Sequence, residues 1–307
     1  MISVVIPIYN EEKNLFQLYE ELKETLDLID KEYEILFVDD GSTDGSFKIL
    51  SGFRESGVDV HIIKLRRNYG QTAALQAGFN SAKGEIIITM DADLQNDPKD
   101  IPNLIRKIEE GWDVVSGWRK NRKDPLSKKI ASKISNWLAR RMINLKIHDL
   151  GCTLRAYKRE AVQNLEIYGE LHRYLLVLIA WRGFKITEIE VNHRKREHGR
   201  TKYGYSRIIT GFIDLLLIKF LLSYFSKPML MFGLFGLFSM FLGTIFGSYL
   251  VIQKYLFGIS IADKPLLLLT ILLIIFGVQF ISTGLLADMI KRTHYKHNQV
   301  YEIEEII

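Results

Sequence analysis

The sequence predicts an α/β domain with a mainly parallel sheet, followed by helices long and apolar enough to enter a membrane. Two observations carry this. Through residues 1–120, short β-branched runs alternate with amphipathic stretches of helical period, and the apolar excess of a chain that is 48% hydrophobic lies at its C-terminal end. At 307 residues there is room for one sizeable α/β domain and an appendage.

Ile2 to Ile8 is predicted as a buried strand, Glu11 to Leu28 as an amphipathic helix, Tyr33 to Val38 as a second strand and Asp44 to Arg54 as a second helix. Val60 to Leu65 pairs with a helix over Gln71 to Ala82, and Glu85 to Met90 with one over Pro98 to Glu109. Ser116-Gly117-Trp118-Arg119 ends a further strand, and Asp149 precedes another. Strands separated by helices imply right-handed crossovers and parallel pairing, and such sheets bind ligands outside the carboxyl ends of their strands.

Those ends carry Pro7-Ile8-Tyr9-Asn10-Glu11, Asp39-Asp40-Gly41-Ser42-Thr43-Asp44 and Asp91-Ala92-Asp93. No strand is followed by a Gly-x-Gly-x-x-Gly turn or a P-loop, which disfavours a dinucleotide dehydrogenase or a P-loop kinase. An acidic rim can instead hold a metal-bound diphosphate while carboxylates bond ribose hydroxyls or base edges. Asp44 also reads as a helix N-cap after a Gly-Ser turn. The most informative stretch is Met90 to Gln95, where Ile86-Ile87-Ile88-Thr89 stops and two carboxylates follow one residue apart. Hard cations such as Mg²⁺ or Mn²⁺ take oxygen ligands, use one or two protein carboxylates and leave the rest to water and phosphates. Taken alone, the same pair is more often a solvated turn.

One cysteine, Cys152, excludes an intrachain disulfide and agrees with a reducing compartment. A net charge of +5 suits work beside anionic lipid or on phosphorylated substrates, and no nucleic-acid partner is expected. Residues 206–227 are mostly apolar but interrupted by Arg207, Asp214 and Lys219, as in a helix lying in the membrane interface or a core helix of the preceding domain. Between Lys227 and Lys254 there are 26 uncharged positions, and between Lys264 and Asp288 there are 23. As helices these run about 35–39 Å at ~1.5 Å per residue, enough for a hydrocarbon core of ~30 Å. The short connector, Gln253 to Lys264, makes them a hairpin within residues 228–290, with spans near 228–252 and 265–288. Lys291, Arg292 and Lys296 of the 291–307 tail then lie on the same side as the basic domain of residues 1–205, and the positive-inside rule makes that side cytoplasmic, with both termini there. Met1-Ile2-Ser3-Val4 leads directly into strand pattern, so no signal peptide is expected. Gly233, Gly236, Gly243 and Gly247 offer close-packing surfaces that either pair the hairpin internally or build a homo-oligomer.

Pro7-x-Tyr9-Asn10-Glu11, Val38-Asp39-Asp40-Gly41-Ser42-x-Asp44 and Asp91-Ala92-Asp93-Leu94-Gln95, in this order and spacing, resemble the GT-A family 2 glycosyltransferases. Within that family the chain resembles the polyprenyl-phosphate group, which holds dolichyl-phosphate mannose synthase and the bacterial undecaprenyl-phosphate glucosyltransferases. The likeness covers residues 1 to about 205, and a two-span hairpin is typical of the bacterial branch. It implies a Rossmann-like GT-A domain in which Pro7, Tyr9, Glu11 and Asp40 surround the nucleoside, while Asp91, Asp93 and Gln95 hold Mg²⁺ or Mn²⁺ and the diphosphate. Asn192 to Tyr203 resembles the family's basic loop that closes on the donor; Arg196, Arg200 and Lys202 can bring cations to a departing diphosphate, a use that can coexist with contact to anionic lipid heads.

On the acceptor side, the resemblance makes Arg119 the arginine facing the lipid phosphate. Lys128, Ser132 and Asn136 match a helix where the family commonly has arginine, serine and asparagine, and lysine at 128 loses bidentate geometry while keeping charge. Asp149 is implied as an acid–base or positioning residue, and His172, in the Glu170-Leu171-His172-Arg173-Tyr174 cluster, as a contact to the donor sugar or an ordinary structural histidine. The implied reaction is metal-dependent, inverting transfer of one sugar from a nucleotide diphosphate sugar, UDP-glucose first and GDP-mannose next, to a polyprenyl phosphate. A processive polysaccharide synthase would carry Gln-x-x-Arg-Trp and more spans; a non-catalytic membrane scaffold that kept the nucleotide-binding fold is the contrasting alternative.

Overall fold

The structure is a computed structural model, and it describes residues 1–53, 59–120, 147–167, 169, 171–195, 228–261 and 264–295. The chain divides into two compact units, Met1–Leu215 and Leu216–Ile307.

The first unit is built on a seven-stranded sheet. In chain order its elements are β1 (Ile2–Ile8), α1 (Leu15–Asp27), β2 (Tyr33–Asp39), α2 (Ser46–Phe53), β3 (Val60–Lys64), α3 (Gln71–Ser81) and β4 (Ile86–Thr89). A 3-10 turn (Pro98–Asp100) then leads into α4 (Ile101–Glu109), followed by β5 (Val114–Trp118), β6 (Arg155–Lys158) and the single turn α5 (Arg159–Val162). A second 3-10 turn (Leu171–Tyr174), α6 (Leu175–Trp181) and β7 (Ile186–Glu190) complete it. The strand order is β3-β2-β1-β4-β6-β5-β7. Pairing is parallel for β1 with β2 and β4, for β2 with β3 and for β5 with β7; β6 runs antiparallel to both β4 and β5. Five strands and β7 therefore end at one edge of the sheet, where β6 begins.

Covering a parallel sheet on both faces demands apolar strands, and β1 is buried along almost its whole length. Helix α1 supplies Leu15, Leu18, Leu22 and Leu26 at helical spacing, all fully buried. Tyr19 stacks on Phe53 of α2 at 4.4 Å between ring centroids. Each such buried apolar side chain contributes about 1.5–3 kcal/mol. Helix α3 presses onto β1 through Gly78, where a Cβ would stand 2.2 Å from Val5 Cγ1.

Two helices start later than the sequence predicts, for the same reason. At α1 the Asn14 N–H closes a turn onto the Glu11 carbonyl (2.9 Å) and the Asn14 side chain donates to Glu11 Oε2 (2.6 Å), so residues 11–14 form a turn and the helix opens at Leu15. At α2, Asp44 Oδ1 accepts the Ser46 N–H at 2.9 Å, two residues on. Short polar side chains at these junctions compete for the backbone groups that a longer helix would use.

The second unit is an antiparallel pair, α7 (Pro228–Phe257) and α8 (Pro265–Tyr295). Their most apolar windows have mean hydropathy 2.0 and 2.5, and only 17% and 11% of those windows are buried, unlike the core helices of a water-soluble unit. Gly236 and Gly243 of α7 face α8: a Cβ at 236 would lie 2.7 Å from the Gly277 carbonyl oxygen, and one at 243 would lie 2.9 Å from Ile274 Cγ1. These glycines thus pair the hairpin internally. Leu234, Phe235, Leu237, Phe238 and Phe241 point outward and are exposed. The predicted interfacial stretch 206–227 lies outside the described residues.

Candidate active site

The loops after β1 and β2 interlock. The Asn10 N–H donates to Ser42 Oγ (3.0 Å), and Asn10 Oδ1 accepts the Thr43 N–H (2.8 Å). The Glu11 N–H donates to Ser46 Oγ (3.0 Å), the Glu12 N–H to Asp44 Oδ2 (3.3 Å), and Glu12 Oε2 accepts the Gly45 N–H (2.8 Å). Asn10 takes a left-handed backbone (φ 54°), a conformation that asparagine tolerates best among residues with a Cβ. Gly41 is left-handed too (φ +68°), and a Cβ there would stand 2.4 Å from the Arg67 carbonyl carbon. Pro7, in register with Val38, and Tyr9 stand half-buried beside this interlocked wall.

Asp40 is buried and bonds to the turn after β3. Its carboxylate accepts the Tyr69 N–H (2.7 Å), the Gly70 N–H (2.9 Å) and Asn68 Nδ2 (3.0 Å). Burial raises its pKa above the ordinary carboxylate range, the Tyr69 and Gly70 N–H groups oppose the rise, and the neighbouring Asp39 adds to it. Asp40 therefore positions the start of α3.

Beyond β4, burial alternates residue by residue. Ala92, Leu94 and Asn96 are buried, while Asp91, Asp93 and Gln95 share the half-open face. Leu94 achieves this through a left-handed backbone (φ 60°), a strained state for a bulky residue of the kind that clusters at functional sites. Asp93 Oδ1 accepts the Gln95 N–H at 3.1 Å, and Gln71 Nε2 donates to Asp91 Oδ1 at 2.8 Å. Burial among protein atoms and the charge of Asp93 push the Asp91 carboxyl up to about 7, against the pull of a hydrogen bond from Thr153 and the charge of Arg119; Glu11 adds to the rise. Asp91, Asp93, Glu11, Thr153 and Arg119 thus belong to one cluster.

Arg119 and Asp149 form a two-pronged ion pair, Nε to Oδ2 at 2.7 Å and Nη2 to Oδ1 at 3.0 Å, with side-chain exposures of 12% and 4%. Asp149 Oδ1 also accepts the Gly151 N–H at 3.1 Å. The pair meets because β5 ends where the antiparallel β6 begins.

His172 bonds through Nδ1 to the Thr72 hydroxyl at 2.6 Å, and that hydroxyl donates to the Gly169 carbonyl at 2.5 Å. One hydroxyl has one proton, so Nδ1 carries the hydrogen of this contact. The stretch leading into the basic segment is seated beside the acidic face. The Arg194 N–H donates to the Gln95 carbonyl (2.9 Å), Asn96 bridges to His193, and the Arg194 guanidinium pairs with Glu21 (2.6 Å) and Asp97 (2.8 Å). Arg196, Arg200 and Lys202, like Lys128, Ser132 and Asn136, lie outside the described residues. Gln71, Thr72 and Thr153 belong to the site and carry no motif; the only signal for the first two was their place after β3, at the same sheet edge.

Residues 3–166, more than half of the chain, match the family model described as Glycosyl transferase family 2. The chain is 40% identical to a dodecaprenyl-phosphate galacturonate synthase of Rhizobium johnstonii over 300 residues, 96% of this chain and 89% of that one. It is 38% identical to an undecaprenyl-phosphate 4-deoxy-4-formamido-L-arabinose transferase of Klebsiella pneumoniae over 295 residues, 95% and 89% of the two. Among solved structures, glucosyl-3-phosphoglycerate synthase of Mycobacterium tuberculosis with phosphoglyceric acid superposes with a TM-score of 0.58 at 20% identity, covering 71% of this chain and 79% of that one. The same enzyme solved with Mn²⁺, UDP and phosphoglyceric acid gives 0.57 at 20% identity, over 71% and 78%. At this identity the superposition speaks for the fold.

Proposed function

The chain belongs to glycosyl transferase family 2 and is a glycosyltransferase, and from that premise we propose that it moves a single sugar from a nucleoside-diphosphate sugar to the phosphate of a membrane polyprenol. The observation that carries the proposal is the union, in one chain, of an acidic strand-edge site with two apolar helices. The names of both relatives, each a polyprenyl-phosphate sugar enzyme, support the acceptor. A hairpin returns the chain to its starting side, cytoplasmic by the positive-inside rule, the side on which this reading places the acceptor phosphate.

Asp91, Asp93 and Gln95 offer hard oxygen donors, and the burial and the repulsion from Asp93 that together lift Asp91 are what a divalent cation would offset, so the residues fit Mg²⁺ or Mn²⁺. Bound there, the ion offsets negative charge on the diphosphate. Glu11 and Tyr9 line the nucleoside side beside Pro7. Gln71 orients Asp91. Asp149 holds Arg119 in one orientation, so that a guanidinium fixed in advance meets the acceptor phosphate. A phosphate monoester, with a second pKa of about 6, is largely ionised near neutral pH and attacks the anomeric carbon without a strong base. Asp149 is accordingly a positioning residue, and one displacement inverts the configuration.

Neither relative is named for glucose. UDP-glucose is tested first, then UDP-linked galacturonate and 4-deoxy-4-formamido-L-arabinose, then GDP-mannose. Purified protein is incubated with undecaprenyl phosphate and each labelled donor, with Mg²⁺ or Mn²⁺, with EDTA, and as Asp91→Ala. One acid-labile labelled lipid, absent in both controls, is expected. Metal-dependent nucleotide binding without lipid product would point to another acceptor, and undiminished product from Asp91→Ala would overturn the assignment of the site.

A further inference from the structure

At the opposite, amino edge of the sheet, a second constellation has no part in this chemistry. Glu34 is the second residue of β2, His61 the second of β3, and Asp59 stands just before β3. The register sets Leu36 against His61 and Ile35 against Val60, and the Ile35 N–H fixes Asp59 by donating to its carbonyl at 2.9 Å. Because side chains alternate along a strand, Glu34, Asp59 and His61 emerge on one face of the sheet.

Glu34 is fully buried. Its Oε1 accepts the Ser3 hydroxyl (2.5 Å) and the Lys83 N–H (2.7 Å), but Oε2 has no hydrogen-bond partner among the described residues, and neither does His61 Nε2. A buried carboxylate oxygen left in that state is costly unless something else satisfies it. Both orphaned atoms face each other, Oε2 standing 3.4 Å from Nε2, and Asp59 Oδ1 lies 3.1 Å from the same nitrogen. Neither oxygen lies where the ring N–H would bond it well, so the oxygens flank the nitrogen's axis. Ligands of a tetrahedral ion at ~2.0–2.1 Å stand about 3.3–3.4 Å apart, close to the 3.4 Å and 3.1 Å observed from His61 Nε2 to Glu34 Oε2 and Asp59 Oδ1.

We propose that Glu34 Oε2, Asp59 Oδ1 and His61 Nε2 bind a divalent transition metal of zinc's class, the fourth position being left to water on the exposed Asp59 side. One imidazole and two carboxylates suit such an ion better than Mg²⁺. Among the described strands, β3 is at the edge of the sheet and pairs only with β2, so the ion clasps that edge strand to its neighbour.

The test uses full-length protein in detergent carrying Asp91→Ala, which breaks the other carboxylate pair by removing one of its two members. After stripping with EDTA it is titrated with Zn²⁺ by calorimetry, and bound metal is counted by mass spectrometry. One equivalent of zinc and a raised Tm are expected, with Co²⁺ giving the visible spectrum of a four-coordinate ion. Adding His61→Ala, at a half-exposed residue, is expected to weaken zinc by more than the about 10- to 100-fold that loss of an outer-shell partner costs, and to abolish the cobalt spectrum. Glu34→Gln, which keeps the shape, is expected to do the same. No zinc uptake, or equal uptake with and without His61, would leave the three residues an ion-pair cluster and overturn the proposal.

Discussion

Two carboxylates one residue apart repel each other, and at Asp91 that repulsion adds to burial. Its pKa of about 7 has two consequences of definite sign. With Asp91 among the ligands of the proposed metal, protons and metal would compete for the same oxygens, so Mn²⁺ affinity is expected to fall up to about tenfold per pH unit below 7 and to level off above it. Calorimetric titration across about pH 5.5–8.5 checks this; a flat profile would remove Asp91 from the metal's ligands. In the metal-free protein the folded state binds the extra proton between the unfolded carboxyl value of about 3.9 and 7. The contribution of Asp91 to stability therefore declines as pH rises through that window, and added Mn²⁺ restores it. At Asp149 the issue is role. Removing one member of a buried ion pair costs about 3–5 kcal/mol, so Asp149→Ala is expected to lower Tm markedly. The milder Asp149→Asn is expected to lower kcat while the pH–rate profile keeps its shape. Loss of the acidic limb would mean that Asp149 works as a base. The Asp91 and Asp93 pair was legible because it directly follows the β-branched run of residues 86–89, whereas Gln95 entered only through the family resemblance. Asp40 was legible as a site-edge acid only: its partners Asn68 to Gly70 come from a turn nearly thirty residues on, and no local pattern encodes such a meeting.

Among the elements through residue 109, strands and helices lie close to the stretches that periodicity marks, and departures fall at the junctions, where Asn14 and Asp44 bond backbone that regular helix would otherwise claim, while β7 had no such mark. The hairpin illustrates a different limit. Glycine spacing alone served internal pairing and self-association equally; close approach of Gly236 to the Gly277 carbonyl resolves it for that face. Gly236→Leu overpacks the contact by an amount on the order of 1–3 kcal/mol and is expected to lower the thermal stability of the detergent-solubilised protein. Gly233→Ala, whose Cβ would meet only the Met229 side chain of the same helix at 3.5 Å, is expected to leave it unchanged. Equal effects from both would mean that glycine at 236 does not set the approach.

At the scale of the whole molecule, the testable matter is which side of the membrane each part occupies. Cys152 is buried and the chain has no other cysteine, so introduced thiols are read against a silent background. Ile259→Cys, in the exposed connector between α7 and α8, is expected to react with a membrane-impermeant maleimide in intact cells. Lys99→Cys, on the catalytic domain, is expected to react only after permeabilisation. The reverse pattern would invert the topology and place the site away from a cytoplasmic donor. The sequence by itself determined the alternation of strand and helix, the acidic face after β4 and the two apolar spans, because each depends on residues near one another in the chain, through pleat, helical period and transfer energy. Only the tertiary structure decided that Arg119 grips Asp149, that Gln71 reaches Asp91 and that Glu34 faces His61. Those meetings depend on which strands lie side by side and on the reversed direction of β6, which brings residue 149 to the edge where the other strands end. Strand direction and neighbour order follow from how the whole sheet buries its two faces, a property that no stretch of the chain possesses alone.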